Sequence, residues 1–99
     1  MPQGPFQTVS LAVANRRTLN ITANTVVKPT PGFVVRVSVV VAGSAAGTIH
    51  DAATVAAAVT ANVIAAIPAT AGTYSIEFPA TSGIVIKPGS GQTIAVSFN

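Results

Sequence analysis

The sequence contains no cysteine and no tryptophan, one tyrosine, one methionine, and two acids, Asp51 and Glu77. Each shortage removes a class of function. Without cysteine there are neither disulfides nor thiolate metal sites, and the redox compartment is left open. Five bases, two acids and His50 are what 99 residues offer for acid, base or metal chemistry. Zinc wants roughly three or four ligands, and one histidine with two separated acids is a poor set. A glycosidase needs a pair of carboxylates facing one bond, with an aromatic platform for the sugar. Here Glu77 falls on the expected solvent side of its strand, and Asp51 is placed to cap the turn that follows it. His50 and Asp51 are neighbours, so on a strand they point to opposite faces and cannot serve as base and orienter. Lys87-Pro88-Gly89-Ser90-Gly91 is no phosphate loop, because the lysine precedes the glycines and no helix follows. The expectation is a protein that is not an enzyme and uses neither metal nor cofactor.

Charge is equally informative. The pI near 10.3 and net charge of +3 come from missing acids, not from abundant bases. Arg16, Arg17, Lys28, Arg36 and Lys87 are scattered, with Arg16-Arg17 the one adjacent pair. Nucleic-acid binders cluster their bases and interleave aromatics, so no nucleic-acid partner is expected. The uncharged run from Ala52 to Ile76 is long enough for a membrane span, but Asn62, Pro68, Gly72 and threonines interrupt it; none is expected. Met1–Phe6 carries two prolines and no apolar core, so it does not read as a signal peptide. Residues 1–7 read as an extended arm and residues 8–99 as one domain, since a second core would be too small to hold together.

What the chain does have is β-branched and small side chains: fifteen Val, eight Ile, twelve Thr and eighteen Ala, against two Leu. Period-two patterning follows. Phe33–Val41 places Phe33, Val35, Val37, Val39 and Val41 on one face and Val34, Arg36, Ser38 and Val40 on the other. Thr73–Phe78 puts Tyr74, Ile76 and Phe78 inward, and Pro79 should end it. Gly83–Lys87 and Thr93–Phe98 read as strands joined through the turn residues 88–92, and a hairpin is expected. Upstream, Val9, Leu11 and Val13 alternate, Asn15-Arg16-Arg17 looks like a turn, and Thr18–Thr22 is a short strand with Leu19 and Ile21 inward. Asn62–Ile67 is read as a strand, with Ala53–Ala61 a loop or one or two helical turns. Seven or eight short strands with regular turn signals predict an all-β fold. It should be a single-domain antiparallel β-sandwich, jelly-roll-like or a small barrel.

Arg36 sits within the most apolar strand. It either snorkels along an exposed sheet or anchors a subunit contact, where arginine is enriched. Arg16 and Arg17 form a solvated tip able to reach an acidic partner. A surface this poor in charge suits burial against other protein.

Gly32-Phe33-Val34-Val35-Arg36-Val37 opens a series that continues through Gly47-Thr48-Ile49-His50-Asp51 and Ile64-Ala65-Ala66-Ile67-Pro68 to Ile94-Ala95-Val96-Ser97-Phe98. From roughly Lys28 onward the chain resembles small β-rich virion proteins of tailed bacteriophages, among them capsid decoration (cement) proteins. The resemblance implies a homotrimer that binds the major capsid protein and stabilises the outer head shell. It would be made in the host cytoplasm and located on the virion surface. A tail, fibre or receptor-facing module of the same particle is the alternative. Pro2, Pro5 and Phe6 of the arm, with Arg16, Arg17 and Arg36, are the expected protein-contact residues. Removing residues 1–7 should weaken binding to capsids in a sedimentation assay while leaving the thermal unfolding midpoint unchanged. Undiminished binding would refute the arm.

Overall fold

Alternating β-branched and polar side chains need one dry and one wet face, and eight strands supply both. In the computed structural model, which describes residues 14–99, these are β1 Arg16–Ile21, β2 Thr25–Lys28, β3 Gly32–Val41, β4 Gly47–Asp51, β5 Val63–Ile67, β6 Gly72–Ala80, β7 Ile84–Lys87 and β8 Thr93–Phe98. They form two four-stranded sheets, ordered β1-β8-β3-β6 and β2-β7-β4-β5, with antiparallel pairing throughout. β1 pairs with β8, β2 with β7, β3 with β6 and β4 with β5. That nesting is one long hairpin with its tip between β4 and β5. Two lateral seams, β3 with β8 and β4 with β7, roll it into two sheets. Every connection except β4–β5 therefore passes from one sheet to the other.

Both sheets feed one core. Ile21, Val34, Val37, Val39, Ile94, Val96 and Phe98 of the first sheet meet Ile49, Ile67, Ile84 and Ile86 of the second in a single buried cluster. Each such side chain contributes about 1.5–3 kcal/mol on leaving water. β7 departs from alternation because Ile84, Val85 and Ile86 are all fully buried. Val85 faces the other way and packs on Ala52, Ala58 and Val55 of the β4–β5 connection. That connection is the longest among the described residues, and it lies back over the outer face of the second sheet. Within Ala53–Ala61 it is a turn, followed by a 3-10 turn at Thr60–Asn62.

Extra residues reset the alternation in several strands. Val34 stands opposite Phe98 and Arg36 opposite Ser97, so β3 carries one more residue than its neighbour there. The core consequently takes Val34, Val37 and Val39, and not the unbroken odd-numbered series; Val41 is half exposed. β1 has one more residue than β8 between Thr18 and Ile21, with Asn20 at φ 57°. Asparagine tolerates this left-handed conformation, and the bulge turns Leu19 outward, 57% exposed, while Ile21 stays in. In β6 the irregularity accompanies Glu77 at φ 50°, and Phe78 emerges 48% exposed instead of entering the core. Tyr74 and Ile76 do pack against the core. Pro79 does not stop β6, because an edge strand can carry a residue without an N–H.

Two connections also differ from expectation. Arg16 and Arg17 belong to β1, not to a turn. β7 and β8 form no hairpin, since residues 88–92 cross between sheets. The crossing is held by Gln92, buried but satisfied: its Oε1 accepts from the Gly89 N–H at 2.8 Å and its Nε2 donates to the Pro68 carbonyl at 2.6 Å. Gly89 is required there because a Cβ would collide with the Ala45 carbonyl. Expectations for the arm, with Pro2, Pro5 and Phe6, and for Val9, Leu11 and Val13 fall outside the described residues. Among the described residues no helix is long and apolar enough to cross a membrane. Ile94→Ala should cost about 3 kcal/mol in urea denaturation. The exposed Val40→Thr should change stability by less than about 0.5 kcal/mol; equal losses would contradict the assignment of faces.

Candidate functional site

The two outer faces are unequal. That of the second sheet is roofed by the β4–β5 connection, whereas that of the first is open among the described residues. Register brings its side chains into rows. Arg17 lies beside Ser97, Ser97 beside Arg36, and Arg36 beside Ser75. Ala95 lies beside Ser38, and Ser38 beside Thr73, in the next row. Small side chains on the two central strands make a floor, and the longer Arg17, Leu19 and Arg36 stand up from it. The result is an open groove of about 260 Å³. Leu19 reaches it because of the β1 bulge. Arg17 and Arg36 are both exposed, and neither guanidinium makes a hydrogen bond or ion pair among the described residues.

The chemically capable side chains go elsewhere and are spoken for. His50 is buried on the outer side of the second sheet, beside Val85. Its Nδ1 lies 3.0 Å from both the Val59 carbonyl and Asn62 Oδ1, and its Nε2 lies 2.8 Å from Thr48 Oγ1. Both Nδ1 partners are acceptors, so Nδ1 carries the proton and Nε2 accepts from the Thr48 hydroxyl. The Asn62 orientation is fixed independently: its Oδ1 accepts from the Val59 N–H and its Nδ2 donates to the Ala57 carbonyl. Lys87 Nζ donates to the Ala58 carbonyl at 2.7 Å. His50, Asn62 and Lys87 thus clamp the connection over the sheet, next to a second depression of about 440 Å³.

Asp51 does not cap the turn after it. Its Oδ2 accepts from the Thr81 N–H at 3.0 Å and the Thr81 hydroxyl at 2.9 Å; its Oδ1 accepts from the N–H groups of Ser82 at 2.7 Å and Gly83 at 3.3 Å. It pins the turn by which the chain crosses from β6 to β7. Partial desolvation pushes its carboxyl up, but those four donors outweigh it and hold the group below its ordinary value. Glu77 is exposed on the edge strand and accepts from the Ser75 hydroxyl at 3.0 Å. His50, Asp51 and Glu77 therefore have separate partners, and no group of three metal-ligating side chains occurs among the described residues.

Of the expected contact residues, Arg17 and Arg36 converge on one groove and Arg16 lies at the start of the same strand as Arg17. Pro2, Pro5 and Phe6 lie outside the described residues. Leu19 and the small residues of the floor were missed, because bulge position and cross-strand register are not written in local composition. The Asp51 clamp was missed too, since its partners lie some thirty positions downstream. No family model matches the sequence, and comparison with curated proteins and with solved structures returns no match.

Because the Asp51 carboxyl is lower in the folded chain than in the unfolded one, its contribution is complete above the unfolded value of about 3.9. It is lost as pH falls through the folded value. Asp51→Ala should cost about 1 kcal/mol at neutral pH, comparable to loss of a helix cap and limited by solvent screening. The gap to the parent protein should close below about pH 4 in chemical denaturation. A gap that persists unchanged into acid would show that the carboxylate is not what the turn is bonded to.

Proposed function

We propose that this chain is a structural protein of a tailed-bacteriophage virion, a capsid decoration or cement protein that self-associates and braces the outer head shell. The observation that carries the reading is the open face of the first sheet, with its small-residue floor and two guanidiniums that no described residue partners. Serine and alanine lose little side-chain freedom on ordering, and arginine is favoured at protein contacts, so such a face dehydrates readily against another protein. The resemblance from Lys28 onward supports the assignment to a virion and supplies the trimer and the major capsid protein as partner.

The fold is, on this reading, a jelly-roll sandwich. The orders β1-β8-β3-β6 and β2-β7-β4-β5 are those of a rolled eight-stranded hairpin, an architecture that also serves viral capsid domains. Strand order speaks to architecture and leaves function to the surface. Many identical copies on a shell turn modest single contacts into stiff cohesion through multivalency, and no chemistry is required of any residue.

Light scattering of the purified chain should give the mass of a closed oligomer at micromolar concentration, and the protein should co-sediment with capsids lacking it. A monodisperse monomer that leaves capsids untouched would defeat the proposal.

A further inference from the structure

We infer that the groove on the first sheet is filled by a second copy of this chain, which presents Glu77 and Phe78 from the end of β6. This rests on the self-associating reading above and names its contact. Charge complementarity selects the occupant. Arg17 and Arg36 offer two guanidiniums without partners among the described residues, each able to grip a carboxylate in a planar fork. The sequence has two side-chain carboxylates to offer in return. Asp51 is eliminated, since both its oxygens are taken up by the residue 81–83 turn. Glu77 remains: it is exposed, and its one hydrogen bond, from the Ser75 hydroxyl, leaves most of its acceptor capacity unused. It does not pair with Arg17 or Arg36 of its own chain.

The residue beside it fits the rest of the groove. Phe78 is 48% exposed, the one aromatic among the exposed large hydrophobic residues described. An apolar cavity of about 150 Å³ already holds a benzene ring; the groove offers about 260 Å³ over Ala95 and Ser38, with Leu19 at one wall. A guanidinium over the ring face adds a cation–π attraction. β6 is the edge of its sheet, and no strand of the described residues shields this end. The irregularity that gives Glu77 its positive φ, and keeps Phe78 from the core, is what makes both available. Ser75, whose hydroxyl holds the Glu77 carboxylate, stands beside Arg36, so donor and groove adjoin on one face and two copies can exchange the contact reciprocally.

Charge reversal tests this on the full chain. Arg36→Glu and Glu77→Arg should each weaken self-association about tenfold or more by light scattering and sedimentation equilibrium. Combining them should restore association to the parent level, with unchanged circular dichroism throughout. Phe78→Ser, which leaves the charges alone, should weaken association as well. If Arg36→Glu fails to fold, Arg17→Glu on the edge strand β1 runs the same cycle. Single reversals that associate like the parent, or a double reversal that stays dissociated, would overturn this contact while leaving the self-associating reading intact. A parent protein that is monomeric at every concentration would remove that reading itself, and the contact with it.

Discussion

Two lateral seams, β3 against β8 and β4 against β7, roll a nested hairpin so that its β-branched residues face one another. Without them, the hairpin would be a ribbon with one apolar side in water. With them, Ile94 and Val96 come to lie across from Ile49 and Ile84, and one core serves both sheets. The cost of this arrangement is a set of crossings between sheets, each of which strands backbone polar groups away from a ladder. The chain meets that cost with its few polar side chains. Gln92 ties the β7–β8 crossing to the Pro68 carbonyl, and Asp51 ties the β6–β7 crossing to β4.

Scarcity of charge then acquires a structural meaning. One of two acids is consumed in holding a turn, and the sole histidine and Lys87 are consumed in seating the β4–β5 connection. That connection buries the outer side of Val85 and covers the middle of the second sheet's outer face. Nothing equivalent covers the first sheet among the described residues. The asymmetry leaves the first sheet's face open, and the two arginines that line its groove have no partner among the described residues. Among the described residues that face holds no assembled acid, base and nucleophile. The proposed role as a shell-bracing virion protein follows from that asymmetry together with the resemblance carried by the strands from Lys28 onward.

Strand placement was readable because side chains on a strand alternate and β-branched residues mark them: Thr93–Phe98, with Ile94, Val96 and Phe98 buried, lies where its pattern puts it. The all-β class, the strand read over 62–67 and found over 63–67, and the exposed position of Glu77 and Arg36 came from the same local rule. Local rules fail where a residue is inserted. The bulges at Val35, Asn20 and Glu77 reverse which side chains face the core, and they moved Leu19 and Phe78 to the surface. They also fail where a turn joins two sheets, because Pro88–Gln92 has the composition of a hairpin turn and is a crossing.

What the sequence determined by itself was the inventory: strands from period-two alternation, and a short supply of ionisable groups. What only the tertiary structure decided was adjacency. That Arg17 and Arg36 flank one groove, and that Asp51 grips a turn some thirty residues away, depend on cross-strand register between distant segments. Register is fixed by the whole core closing at once, and a local pattern of side chains holds no record of it.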